Sequence, residues 1–478
     1  MRIVTSRSGM LLGSLLGALL LLPLGGCSPD ALLGSNALPP NVPDPAQLKT
    51  RNGALAAYRG AIVTFGRAFG GHNPSGAFVL HTAALTDEVE SGAVGLVGIA
   101  GVLTNVDART LPEGTYTSTD EVYGALQQTR GQISEALGAL RAYAPDGTAA
   151  YQGQLYALDG YAEVFLADLF CSGVPLSTLN FNGDFTYEAG SSTPDVYKRA
   201  VAHFDSALAL ATDSADVMNL ARVGKARALL ALGEYDAAQQ AVINVPDDFR
   251  YAIRYSAYQS DQSAEGNFGY LLTGEGGVSK TDREGGNGLP YVSSHDPRIP
   301  SVDLGNNRYG VRMYRPAEYS TSGDSPVVLA SGVEARLIEA EAELHSGGAT
   351  WLATLNTLRT DGTYSTQPDS SDSTKTDTLW HAGTGGVAGL APLQDPGTAD
   401  GRIDLVFQER AYWLFLNGHR QGDLRRLVRM YGRAQQTVYP TGSYAAARGR
   451  YGSDVNAPIP FNERLYNPQF HGCFNRGA

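Results

Sequence analysis

Residues 403–433, IDLVFQERAYWLFLNGHRQGDLRRLVRMYGR, constrain the chain more than any other stretch. In the first half Val406, Arg410, Trp413 and Leu414 recur at helical spacing. Asn417-Gly418 then supplies residues that tolerate a left-handed backbone, a common way for a helix to stop. In the second half Leu424, Leu427, Val428 and Tyr431 form one apolar stripe, with Arg425, Arg426, Arg429 and Arg433 largely off it. The segment reads as two helices joined at a hard corner. Glu409, Arg410, Arg420 and Asp423 crowd that corner. Charges so close to apolar faces are costly unless paired, so the four are expected to pair with one another.

Similar helix pairs precede the corner. Residues 149–169 are expected to place Tyr151, Leu155, Leu158, Ala162, Phe165 and Leu169 inward, and a partner helix starting at Pro194 carries Tyr197, Ala200, Phe204, Ala207 and Leu208 on one face. A Gly/Ser/Thr/Asn-rich insertion, residues 171–193, separates the two. Residues 219–232 and 235–245 form a tighter pair, turned by Gly233 and closed by Pro246. Their spacing of small and large residues resembles a tetratricopeptide repeat. Residues 327–345 and 350–358 make another. Such units cannot bury their faces alone and must stack. The expected architecture is mainly α: four tetratricopeptide-like pairs, at about 149–211, 219–246, 327–358 and 403–433, in one superhelical scaffold. Helices are also expected over 47–69 and 119–143, with 78–90 irregular. The Tyr- and Gly-dense insert 247–325 should form a loop-rich lid, and 361–378 a solvated loop.

The first 26 residues read as a signal peptide. Arg2 and Arg7 are followed by an apolar run ending in Leu24-Gly25-Gly26-Cys27, which looks like a bacterial lipobox. Cys27 would then be lipidated and begin a Pro-rich tether, residues 27–46, ahead of a single body over 47–478. Two cysteines remain, Cys171 and Cys473. In an exported chain an even pair is expected to form a disulfide.

The formal charge of −12 argues against nucleic acid, whose phosphates need a basic surface. No catalytic constellation assembles. G-x-S-x-G is absent, and GEGGVSKT (274–281) has Ser279 where a phosphate loop needs its second Gly. The histidines are scattered. Asp395, Asp400 and Asp404 lack EF-hand spacing and read as a hydrated turn. Neither a metal nor a cofactor is expected.

The 403–433 corner resembles the RagB/SusD family of nutrient-binding outer-membrane lipoproteins. That family carries Glu-Arg at a helix start, then Gly, then Arg-x-x-Asp-Leu-x-Arg. Glu409, Arg410, Gly418, Arg420, Asp423, Leu424 and Arg426 match it. Asn417 departs from the acidic residue that often precedes the Gly. ARLIEAEAEL (335–344) and Ala457-Pro458-Ile459-Pro460 with Glu463, Asn467 and Pro468 resemble the family too. The resemblance implies a non-enzymatic receptor facing the cell exterior. It would bind a glycan, or a peptide, and deliver it to a TonB-dependent, SusC-like outer-membrane transporter. A periplasm-facing repeat scaffold for protein assembly is the alternative. Sugars present apolar faces and hydroxyl edges, so a binder needs aromatic planes beside polar groups. By resemblance the segment after the first helix and the Tyr-rich insert supply the site. This selects Phe78, His81, Asp87, Arg298, Tyr309, Arg312 and Tyr314 as ligand candidates.

Overall fold

Two solvent-facing strategies alternate along the chain: amphipathic helices stack on one another, and irregular segments fold over them. The computed structural model describes residues 49–71, 77–91, 99–179, 184–256, 266–272, 277–307, 310–368, 376–382, 387, 390–444 and 449–478. The targeting segment, Cys27, the tether and Tyr309 lie outside the described residues. Residues 49–478 form one compact unit. None of the described helices is long and apolar enough to cross a membrane.

Fourteen helices are present among the described residues. The first four are α1 (Arg51–Gly70), α2 (Ala77–Leu85), α3 (Ile99–Asp107) and α4 (Ser118–Tyr143). Thr50 caps α1, its hydroxyl accepting from Gly53 N at 3.1 Å, and a Thr117/Asp120 capping box opens α4. The repeats follow as α5 (Ala149–Leu169) with α6 (Thr193–Leu210), then α7 (Ala215–Leu232) with α8 (Tyr235–Val242), then α9 (Gly332–His345) with α10 (Trp351–Thr360). The corner comprises α11 (Ala399–Trp413) and α12 (Arg420–Arg429); the short α13 (Gln435–Val438) and α14 (Phe461–Tyr466) end the chain. Consecutive helices pack from α4 through α10, α1 packs on α4, and α11 packs on α9. The fold is the expected superhelical stack with a loop-rich cap. Close approach depends on small residues: a β-carbon on Gly160 of α5 would lie 2.8 Å from the Phe204 ring of α6.

Three expectations are corrected. Residues 78–90 are not irregular, because they contain α2 and the strand Val89–Ser91. All nine residues of α2 are buried, so the helix is enclosed by protein and shows no polar face for periodicity to reveal. Residues 327–331 are a strand, antiparallel to Arg250–Ile253, and the helix begins only after Ser331, whose side chain accepts from Glu334 N. The β-branched Val327-Val328 pair suits the strand. Residues 361–378 include one arm of a hairpin, Gly362–Pro368 against Thr376–Ala382. Short antiparallel pairs also stiffen the lid, among them Val89–Ser91 with Val278–Lys280 and Ser301–Asn306 with Arg312–Pro316.

The main core runs through the helix stack, with satellite clusters around Trp351, Val406 and Trp413 and around Phe407, Leu424 and Tyr439. Cys171 and Cys473 are disulfide-bonded across a sequence separation of 302. This joins the 171–193 insertion to the C-terminal tail.

Candidate functional site

The corner's four charged residues are paired, but only two of them with each other. Arg410 donates to both Asp423 oxygens at 2.8 and 2.9 Å. Arg426 bridges Asp423 at 3.0 Å and Glu341 at 2.7 Å. Burial pushes the Asp423 carboxyl up, but Arg410 and Arg426 outweigh it and hold the group far below the usual carboxylate range. Arg420 and Glu409 reach outward instead. Arg420 grips Asp87 beyond α2 at 2.6 and 2.8 Å, and Glu409 takes Arg298 of the insert at 2.8 Å and Arg359 of α10 at 2.7 Å. The expectation that the four pair among themselves is corrected accordingly: the corner clamps the lid. Gly418, at φ +73°, lets the chain turn against Phe78, whose ring would lie 2.8 Å from a β-carbon there.

The clamp engages three of the ligand candidates, Phe78, Asp87 and Arg298, and the core encloses a fourth, His81. Phe78 is fully buried and stacks on Phe165 at 4.1 Å. His81 is fully buried between Ala77 O at 2.7 Å and Ser118 Oγ at 2.9 Å. Burial lowers its pKa to about 4, against the hydrogen bond to Ala77 O, which raises it. Asp87 is held by Arg420 and accepts from Leu289 N at 2.9 Å. The Arg298 side chain is 2% exposed and lies over Tyr412 and Trp413, bound to Asp296 and Glu409. In this structure these four are packing and pairing groups and do not reach solvent. Arg312 is exposed and pairs with Asp303 on the neighbouring strand; Tyr314 beside it is half-buried. The near-miss phosphate segment ends in a strand whose Lys280 amine is bound to Ile299 O and Ser301 Oγ.

The exposed aromatics gather elsewhere. A cleft of about 430 Å³ opens between the start of α4, the 171–193 insertion and α14. Tyr116, Phe185, Tyr187 and Tyr466 line it and are 64%, 53%, 38% and 68% exposed. Each is placed by local structure. Tyr116 immediately precedes the capped start of α4, and its hydroxyl donates to Glu121. Burial and that carboxylate push its phenol up to about 12. Phe185 and Tyr187 are two residues apart in an extended segment, so their rings share a side, with centroids 4.8 Å apart. Tyr466 ends α14. Below them Tyr123 OH donates to Glu463 Oε2 at 3.1 Å, and Asn467 Nδ2 donates to Glu463 Oε1 at 2.8 Å.

The two walls facing α4 are fastened together. Besides the disulfide, Phe474 N donates to Ser172 O at 2.7 Å, Cys171 N to Ala457 O at 2.9 Å, and Asn467 Nδ2 to Glu188 O at 2.9 Å. Arg130 of α4 reaches Leu176 O and Ser177 O, both at 3.3 Å, and so holds the insertion against the helix. None of these cleft residues belongs to the ligand set chosen from sequence. The available signal was aromatic residues standing in polar segments outside any amphipathic stripe, as in Tyr116-Thr117 and Phe185-Thr186-Tyr187.

Among the described residues one group has the composition of metal ligands: Asp159, Glu163 and His203, with donor atoms within 4.8 Å of one another. Arg199 Nε and Arg130 Nε already lie 3.1 and 3.5 Å from Glu163 Oε1, and His203 Nδ1 lies 3.0 Å from Asp159. The positive charge a cation would bring is thus already present. The group is an ionic network between α5 and α6 that Arg130 of α4 joins.

No family model and no curated protein matches the chain by sequence. Solved structures do match. A SusD superfamily protein from Parabacteroides distasonis superposes with a TM-score of 0.63 at 12% identity, over 90% of this chain and 99% of that one. A laminarin-binding SusD-like protein superposes at 0.61 and 14%, over 89% and 99%. Surface glycan-binding protein A from Bacteroides thetaiotaomicron gives 0.60 and 12%, over 90% and 100%. The chain has the SusD-like fold, in agreement with the resemblance read from its sequence.

Proposed function

We propose that this protein belongs to the SusD-like family and binds a glycan in the aromatic cleft without breaking a bond. The observation that carries the reading is the convergence of four exposed rings with carboxylates and amides, on a fold shared with laminarin-binding and surface glycan-binding proteins. Rings stack on sugar faces, and acceptors take the hydroxyl edges. Lipidated at Cys27, the protein is held on the outer membrane facing the exterior, and its ligand passes to a TonB-dependent, SusC-like transporter. A glycan array probed with the purified protein tests the central claim. At least one glycan is bound, and Tyr116→Ala/Tyr466→Ala weakens it about tenfold or more without lowering the melting temperature, since both rings are mainly exposed. Silence across the array, binding of peptides alone, or binding indifferent to the double substitution refutes it. Loss of membrane association in Cys27→Ala and co-purification with a barrel from detergent extract check the anchor and the partner.

A further inference from the structure

We infer that the cleft selects uncharged glycan chains and turns away uronic-acid and sulfated ones; this rests on the glycan-binding reading above. Asp120, Glu121 and Glu463 line the cleft, and no lysine, arginine or histidine does among the described residues. Of the cations carried by the same elements, Arg130 is buried, Arg141 donates to the Tyr156 hydroxyl, and Arg464 is exposed. Arg130 faces Leu176 O and Ser177 O, and Arg464 of α14 donates to His471 O at 3.2 Å.

The donor balance points the same way. Gln127 turns its amide nitrogen to Pro175 O at 2.8 Å. Asn467 directs its own to Glu188 O and Glu463 Oε1. Carboxylates only accept, so Asp120, Glu121 and Glu463 favour donors on the ligand, beside the Asn462 amide and the Tyr187 and Tyr466 hydroxyls, which can also donate. Neutral pyranose hydroxyls supply donors. A carboxylate or sulfate ester supplies further acceptors with negative charge, and would set like charges side by side in a partly desolvated cleft. The formal charge of −12 on the whole chain adds a repulsive field during approach.

Affinity electrophoresis of the purified protein separates this inference from the reading beneath it. The gels contain laminarin, starch, galactomannan, polygalacturonate or carrageenan. Retardation is expected on at least one of the three neutral polymers and on neither acidic one, with Tyr466→Ala weakening it about tenfold. Glu121→Lys is expected to bring measurable retardation on polygalacturonate. Retardation of the wild type on an acidic gel, abolished by Tyr466→Ala, overturns the charge selection and leaves glycan binding standing. Failure of Glu121→Lys to gain any acidic binding also counts against the charge selection. Neutral binding untouched by Tyr466→Ala removes the cleft as the site. No retardation on any gel overturns both readings.

Discussion

The 403–433 corner and the aromatic cleft use the same residue types to opposite ends. In the corner, Arg298 lies between buried rings and two carboxylates, and Phe78 is stacked on Phe165 inside the core. In the cleft, Tyr116 and Tyr466 keep about two-thirds of their surface exposed, at 64% and 68%. An aromatic residue beside a charge therefore says little about ligand binding until its burial is known. The corner satisfies its groups internally and holds the lid on the helix stack. The cleft leaves its planes and acceptors facing solvent, where a ligand can complete them.

The largest expected effect tests the corner. Asp423→Ala leaves Arg410 and Arg426 without a carboxylate in a buried setting, and removing one partner of a buried pair costs about 3–5 kcal/mol. Chemical denaturation is expected to show destabilisation of that order or failure to fold. A loss under about 1 kcal/mol would place these charges among weak surface pairs and dissolve the contrast.

The disulfide comes next, and it acts on the cleft. Cys171→Ser/Cys473→Ser opens a closure spanning 302 residues, and removal of a native disulfide commonly costs about 2–5 kcal/mol. Because the bond fastens the tail wall to the insertion, glycan affinity is expected to fall along with the melting temperature. Unchanged affinity in the double substitution would show that the backbone bonds from Phe474 and Cys171 suffice to hold that wall.

The legibility of the two regions differs for a physical reason. Helix pairs announce themselves because apolar residues must recur every turn to bury one face, and α6 and α8 show this plainly, with Val196, Tyr197, Ala200, Phe204 and Ala207 buried on one and Tyr235, Ala238 and Val242 on the other. Charged residues at the corner reveal that pairing is needed, but not with whom. Arg420 finds Asp87 and Glu409 finds Arg298, across separations that only the folded chain closes. Hydrophobic α2 hides its helicity because no face of it meets water. The cleft is less legible still. Its walls come from three segments spread between Tyr116 and Asn467, and an exposed ring obeys no periodicity. Resemblance directed attention to the segment after α1 and to the insert, where, among the described candidates, Arg312 and Tyr314 have space to reach a ligand.

A smaller effect comes from acid. Ala77 O can only accept, so His81 carries its proton on Nδ1 and takes one from Ser118 at Nε2. The unfolded chain protonates this imidazole near pH 6.5 and the folded chain only near pH 4. Between those values the unfolded state binds more protons, so stability falls as the pH drops. The loss is on the order of 2 kcal/mol at pH 5. Denaturation midpoints of the wild type and His81→Gln should converge as the pH is lowered through this window. Parallel acid limbs would mean that His81 is not the group responsible.

Arg312→Ala should do least, and for that reason it tests the contrast most sharply. Arg298 and Arg312 belong to the same insert, and each faces an aspartate. Arg298 is sealed over Tyr412 and Trp413, whereas Arg312 is a solvated partner of Asp303 between adjoining strands. Exposed pairs of this kind are screened by water and salt and gain little net free energy. Loss of the Arg312 side chain should leave the melting temperature unresolved from the wild type and the glycan array unchanged. If binding falls instead, the lid surface takes part in recognition and the cleft cannot be the whole site. If stability falls while binding holds, the two antiparallel strands around Arg312 support the lid more than their exposure suggests.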